Sequence, residues 1–295
     1  MDYVESGTLF IVATPIGNLE DITPRAVRVL GEVDLIAAED TRHSRGLLTH
    51  FNIKTPMVSC HKFNEGKRGG FLVDALLEGK SIALISDAGT PCISDPGHKI
   101  VAYAASAGVQ IVPICGANAV ATALSVCGFD ATCFSFVGFL PKGKIDALLA
   151  AKTEVVAFFE SPKRIAATLK LLRENLPEAR LCLCNDISKK FERIYRGTPE
   201  EVLDELMQNP AAEKGEYTCV VRLAPDSSSD SAPSVSITPE AQLVEILIAN
   251  SVDGNGANLK EASRILLENN SGFTKKEIYS AMLRLKNLLA ELEQQ

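Results

Sequence analysis

This sequence predicts an α/β protein with a parallel-rich sheet, divided into two halves and followed by a small helical module. Three observations carry that expectation. Short apolar runs at Leu9 to Ala13, Leu35 to Ala38, Ile82 to Ile85 and Val109 to Ile114 alternate with helix-like segments, the pattern of a parallel sheet with helical crossovers. A second set follows at Phe134 to Val137, Val155 to Phe159, Leu181 to Cys184 and Thr218 to Leu223. From Asp226 to Ser236 the chain turns to serine, aspartate and proline, too poor in apolar groups to pack, and helical periodicity resumes beyond. The boundaries are accordingly 1–115, 116–225, a linker at 226–237, and a helical module at 238–295.

Taken in order, the first apolar run enters Thr14-Pro15-Ile16-Gly17-Asn18, where Gly17 permits close backbone approach and Pro15 stiffens the turn. Pro24 then opens a helix with Thr23 as its N-cap, Ala26, Val27 and Leu30 on its apolar face and Gly31 as its stop. The second run ends in Glu39-Asp40-Thr41-Arg42-His43, a concentration of polar chemistry rarely needed for folding. Asp40 also suits a helix N-cap, with Arg42 pairing to Glu39. His61-Lys62-Phe63-Asn64-Glu65 sets a second polar group around an aromatic.

The third run closes in Ser86-Asp87-Ala88-Gly89-Thr90-Pro91, with Ser94-Asp95-Pro96-Gly97 directly after. Open α/β sheets bind ligands beyond the carboxyl ends of such strands. Gly116, Ala117, Asn118 and Ala119 then open a helix with small residues, exposing backbone N–H groups to a polar ligand. Phe158-Phe159-Glu160-Ser161-Pro162-Lys163-Arg164 ends a strand in an acid and starts a helix with two cations. Ile187 to Arg193, with Arg196-Gly197, interleaves basic and aromatic residues in a manner suited to phosphate contacts. In the tail, Thr238 caps a helix that Pro239 begins, and Thr274 with Glu277 forms a capping box. Ile278, Met282, Leu285, Leu289 and Leu292 line one face of that last helix.

Composition excludes several classes. In 295 residues with 46% hydrophobic content no window reaches membrane-spanning length, and the acidic start at Asp2 and Glu5 is unlike a signal peptide. The eight cysteines form no C-x-x-C pair, so neither zinc nor a redox disulfide is indicated, and no metal is expected. A net charge of -7 argues against wholesale nucleic-acid binding but leaves room for a local basic groove. Its candidates are Lys62 with Lys67 and Arg68, Lys142 with Lys144, Lys163 with Arg164, and Lys189, Lys190, Arg193 and Arg196. No G-x-G-x-x-G is present, so a dinucleotide fold is not indicated.

In this order and spacing the strand-end segments, together with Lys214-Gly215-Glu216, resemble the tetrapyrrole-methylase-like superfamily. More narrowly the chain is similar to the ribosomal RNA small subunit methyltransferase I family, from Leu9 to Leu223 and on into the helical tail. The resemblance implies a two-domain α/β fold with S-adenosyl-L-methionine held in a cleft between the halves. It implies methyl transfer to the ribose 2′-hydroxyl of a cytidine in the decoding region of 16S rRNA, by a cytoplasmic homodimer acting on the small ribosomal subunit. Pro15, Ile16, Gly17, Asp87, Ala88, Gly89, Thr90, Asn118, Ala119 and Phe159 would line the cofactor. Glu39 and Asp40 lead as proton acceptors or ribose orienters, with His61 and Glu160 behind them. Arg42, Lys163, Arg164, Lys189, Lys190 and Arg193 would meet RNA. The alternatives are a tetrapyrrole or diphthine-type acceptor on the same fold, or a non-catalytic ribosome-binding relative.

Overall fold

The computed structural model describes residues 4–62, 65–223, 239, 243–244, 246–247, 258–268 and 273–292. The expected linker 226–237, the cap at Thr238, and Phe63 with Asn64 lie outside them. Contacts group residues 1–225 into one unit and 226–295 into another.

In the larger unit the elements run β1 (Thr8–Val12), α1 (Pro24–Glu32), β2 (Leu35–Ala38), α2 (Thr41–His50), β3 (Met57–Ser59), α3 (Glu65–Leu77), β4 (Ile82–Ile85), α4 (His98–Ser106) and β5 (Gln110–Ile114). These five strands form an all-parallel sheet in the order β3-β2-β4-β1-β5. Both faces are covered. Phe10, Ile36, Ala83 and Ile85 pack with Ala26 and Leu30 of α1 on one side, while Leu9, Ile82 and Leu84 pack with Leu72, Leu76 and Ile100 on the other. That double burial is why these strands read as continuous apolar runs. Pro113, which lacks an N–H, sits in the edge strand β5, where the ladder tolerates it.

Helix α1 begins as its sequence requires, with the Thr23 hydroxyl accepting the Ala26 N–H at 3.1 Å. It does not stop at Gly31: the helix continues to Glu32 and closes with the Val33 N–H donating to Val29. Apolar packing of Val29, Leu30 and Val33 carries it past the weak helix former.

After β5 the chain crosses to a second sheet through α5 (Ala119–Val126), then β6 (Phe134–Phe139), α6 (Asp146–Leu149), β7 (Val155–Glu160), α7 (Ile165–Asn175), β8 (Arg180–Asn185), β9 (Arg193–Gly197), α8 (Pro199–Met207) and β10 (Tyr217–Arg222). The order is β6-β7-β10-β8-β9, with β6 and β7 parallel and the other pairs antiparallel. The expectation of a parallel-rich sheet thus holds for the first half, whereas the second is mixed. Alternation along these strands is strict: Val156, Phe158, Leu181 and Leu183 pack against α7 and α8, while Ala157, Cys182, Cys184 and Val220 pack against α5. All eight cysteines are free thiols, four of them buried in the second half.

Two strands were not foreseen. Met57–Ser59 is only three residues long, and Arg193–Gly197 is a charged edge strand in a stretch read from the sequence only for its phosphate contacts. Charge on an edge strand disguises it, because the exposed edge carries polar groups that resist further pairing. In the smaller unit Leu259–Glu268 and Lys275–Leu292 are helices, and Ala262, Leu266, Ile278 and Ala281 form their core. The capping box at Thr274 forms, with Glu277 accepting the Thr274 N–H at 2.8 Å. Met282 and Leu285 pack on that core, while Leu289 and Leu292 lie outside the described side chains.

Candidate active site

The parallel sheet changes direction between β1 and β4: from β1 the chain moves to β2 on one side, and from β4 it moves to β5 on the other. Such a switch point leaves a crevice beyond the carboxyl ends of the two strands. Here the loops leaving them are tied together, Thr14 and Gly89 exchanging both backbone hydrogen bonds at 2.9 and 3.0 Å. Gly89 sits at φ +75°, and a Cβ there would meet Ile16 at 3.2 Å, so only glycine fits without strain.

Over this crevice opens a cavity of about 370 Å³, within the range of roughly 300–1,000 Å³ typical of small-molecule sites. Ile16, the Ala88 to Thr90 turn and the Ile93 to Asp95 segment form one wall; Asn118 to Val120 at the start of α5 form another. The second half closes it with Phe139, Phe159 to Pro162, Ile187 and Glu216 to Thr218. Of the residues expected to hold a cofactor, Ile16, Ala88, Gly89, Thr90, Asn118, Ala119 and Phe159 come together on this wall. Asn118 also caps α5, accepting the Ala121 N–H at 3.0 Å. Thr90 donates to the Ala117 carbonyl, which links the β4 loop to the β5 loop.

Pro15, Gly17 and Asp87 stand outside the lining. Gly17 instead faces the second half: a Cβ there would lie 2.9 Å from the Ile187 carbonyl and would strike the Lys189 side chain. Lys189 can swing aside, but backbone cannot. Gly17→Val is therefore expected to push the β1 loop off the Ile187 wall, at a cost of about 1–3 kcal/mol in stability. Calorimetric titration of the cofactor and thermal melts would register both consequences.

Asp87 holds the strand ends together. Its carboxylate accepts the Asp40 N–H at 3.0 Å, while its own N–H donates to the Glu39 carboxylate at 3.4 Å. Burial raises the Glu39 carboxyl above its ordinary value, against the Asp87 N–H, and the charges of Asp95, Asp87 and Asp40 add to the rise. Asp95 is raised as well, first by burial and then by Asp87, with the Ser86 hydroxyl opposing. Asp95 is on the cavity wall and Glu39 is not.

Asp40 behaves oppositely. It caps α2 by accepting the Arg42 N–H at 2.8 Å, and the Arg42 guanidinium binds it at 2.9 Å. These bonds hold its carboxyl down at about 2. Arg42 pairs with Asp40 rather than Glu39, because the cap brings the two side chains to the same end of the helix. His61 follows β3, the outermost strand of the sheet, away from the cavity wall.

Glu160 and Arg164 are turned toward each other. Arg164 bonds the Glu160 carboxylate at 2.6 Å, and that carboxylate also accepts from the Ser161 N–H and the Thr168 hydroxyl. The same guanidinium donates to the Leu140 carbonyl at 3.3 Å. Glu160 is thus fully engaged, and Arg164 props the loop after β6 instead of facing solvent. Lys189 bridges Asp186 at 3.1 Å and Glu216 at 2.9 Å. Lys163, Lys190 and Arg193 are exposed, and Lys190 lies over the Phe191 ring.

Sequence reasoning missed Asp95 and Phe139 as wall residues. Asp95 stood in a motif already noted, but nothing local shows which of neighbouring carboxylates turns inward. Phe139 reaches the cavity only through a bulge in β6, which no apolar pattern reveals. Among the described residues no group of His, Cys, Asp and Glu is arranged to hold a metal.

Comparison with known proteins bears directly on this geometry. Residues 8–203 match the family Tetrapyrrole (Corrin/Porphyrin) Methylases. The ribosomal RNA small subunit methyltransferase I of Haemophilus influenzae is 41% identical over 93% of this chain and 95% of its own. That of Synechocystis is 39% identical over 95% of this chain and 99% of its own. Among solved structures, diphthine synthase superposes with a TM-score of 0.58 at 14% identity, over 73% of this chain and 90% of that one. Uroporphyrin-III C-methyltransferase from Thermus thermophilus, complexed with S-adenyl homocysteine, gives 0.52 at 17% identity over 72% and 96%. The fold is that of the tetrapyrrole methylases, and the chain belongs to the ribosomal RNA small subunit methyltransferase I family.

Proposed function

We propose that this methyltransferase moves the methyl group of S-adenosyl-L-methionine to the ribose 2′-hydroxyl of a cytidine in the decoding region of 16S rRNA. The observation that carries the proposal is the cavity itself: a largely apolar chamber at the switch point, closed by the second half, whose wall carboxylates Glu160 and Glu216 are paired with Arg164 and Lys189 while the half-buried Asp95 has no cation bound to it among the described ion pairs. Its chemistry fits the cofactor. Ile16, Val120, Phe159 and Ile187 suit an adenine and a thioether chain, the polar start of α5 suits an amino-acid end, and Asp95 suits a neighbouring cation. When bound, the cofactor supplies an electrophilic methyl on a positively charged sulfur.

The protein then has three tasks. The Thr14–Gly89 bridge and the Asp87 hydrogen bonds fix the strand-end loops, so that the wall is rigid before anything binds. Closing the chamber with Phe159 and Pro162 would exclude water and hold the acceptor hydroxyl against the donor. Asp95 accepts the hydroxyl proton. It is better suited than Asp40, whose carboxyl is neutralised by Arg42 and too weakly basic at about 2, and than Glu160, whose oxygens are occupied. Glu39 and Asp87 keep the local charge negative beside it.

By the same resemblance the protein works as a cytoplasmic homodimer on the small ribosomal subunit. Incubating purified protein with tritiated S-adenosyl-L-methionine and small subunits from a strain lacking it is expected to label one ribose in 16S rRNA. Label found only on a tetrapyrrole precursor would overturn the acceptor. Light scattering of the purified protein at about twice 31.7 kDa is expected, and a monomer would refute the dimer.

A further inference from the structure

Strands β6 and β7 pair in register from Phe134↔Val155 to Phe136↔Ala157, and then again at Phe139↔Phe159. Three residues on β6 thus advance against two on β7. The extra residue is accommodated at Gly138, whose φ is +66°. In an unbroken strand, residues three apart face opposite sides of a sheet. The bulge cancels that alternation, and Phe136 and Phe139 both reach Phe159, with ring centroids 5.1 and 5.5 Å away. Bulges re-aim side chains in this manner beside active sites.

The result is a large aromatic ring on the cavity wall that remains 57% exposed. Directly after it come Lys142 and Lys144, both exposed and without an ion pair among the described residues. The loop is held from below: Arg164, anchored on buried Glu160, donates to the Leu140 carbonyl. An aromatic ring at an open rim, with two cations beyond it on a braced loop, is how single-stranded nucleic acid is gripped. Bases stack on the ring and phosphates meet the cations.

We infer that Phe139, Lys142 and Lys144 form an acceptor subsite, in which the Phe139 ring stacks on an unpaired nucleobase of the RNA while the two lysines contact its phosphates. The inference rests on the rRNA acceptor proposed above. Phe159, half-buried on the inner wall, serves the methyl donor; Phe139, at the rim, serves the acceptor. Arg164 is a positioning residue for this loop.

Steady-state transfer of tritiated methyl to small subunits from a strain lacking the protein tests this, beside calorimetric titration of S-adenosyl-L-methionine. Phe139→Ala is expected to raise KM for subunits by roughly tenfold to a hundredfold, the scale of one lost base stack. Its kcat and donor affinity should remain within about twofold, and Phe139→Trp should restore KM. The double variant Lys142→Ala with Lys144→Ala is expected to lower the salt slope of subunit binding by about 1.4, two single-strand phosphates' worth. Because the ring is exposed, melting curves of Phe139→Ala should match those of the unaltered protein.

An unchanged KM in Phe139→Ala would overturn the subsite. So would a loss of donor affinity in place of a rise in KM, since the ring would then hold the cofactor's adenine. Failure of the unaltered protein to label 16S rRNA would remove the acceptor assignment itself, and this subsite with it.

Discussion

Asp95→Asn is expected to lower kcat for methyl transfer by about 10²–10⁴-fold, the usual contribution of a positioned proton acceptor. The amide keeps the shape of the side chain, so donor affinity should change far less than kcat, and calorimetry beside single-turnover kinetics separates the two. The pH dependence has a fixed sign. Burial and the Asp87 charge raise the Asp95 carboxyl above its ordinary value of 3.8, and the working form is the carboxylate. Rate therefore falls as pH drops through that raised pKa. Asp87→Asn removes one neighbouring charge and should move this acidic limb to lower pH. If Asp95→Asn retains full kcat, proton acceptance must be sought at Glu39, the other carboxyl in the group that burial has raised.

The second large effect concerns stability. Glu160→Ala strands the Arg164 guanidinium, whose side chain is only 29% exposed, and orphans the Thr168 hydroxyl and the Ser161 N–H. Removing one partner of a buried ion pair costs about 3–5 kcal/mol. For a unit of this size that is a fall in Tm of roughly 6–20 °C, read by calorimetry or circular dichroism. Glu160→Leu combined with Arg164→Met should recover much of the loss, because no buried charge is then left alone. A single variant that melts with the unaltered protein would show that Arg164 readily finds water. Activity has a separate readout: where the double variant folds but its KM for subunits rises, the bracing of the Leu140 carbonyl is what was lost.

The strand-end loops were legible in the sequence because their chemistry is contiguous. Asp87 to Gly97 and Thr14 to Asn18 each follow an apolar run directly, and a parallel strand sends its carboxyl end to the ligand side of the sheet. Strands β1, β2 and β4 were legible because burial on both faces leaves an unbroken apolar signature, and the edge strand β5 because Val112 and Ile114 keep one apolar face. What stayed hidden depends on partners distant in sequence. Glu160 and Arg164 read as an acid and a cation beside a strand end, and only folding reveals that they satisfy each other. Lys189 read as a phosphate contact, yet Glu216, 27 residues away, claims it. The bulge at Gly138 is invisible because a glycine in an apolar strand marks a bulge, a bend or nothing at all. Asp40 shows the reverse case: its role as a helix cap is local, and the sequence offered it.

The strand that comes earliest in the parallel sheet's own sequence, β1, lies inside that sheet, between β4 and β5. Leu9 pairs with Ile82 on one side and with Ile111 on the other, so Thr8–Val12 has no partner in this sheet until about 70 further residues have been made, and lacks its second until about 100 have. At roughly 5–20 residues per second, a nascent chain waits about 4–15 s with this apolar segment unpaired. During that interval the Thr14–Gly89 bridge, and the ligand crevice it defines, have no counterpart in the growing polypeptide. An enzyme whose proposed target is the ribosome thus emerges from one with its own binding site among the last parts of the first half to exist.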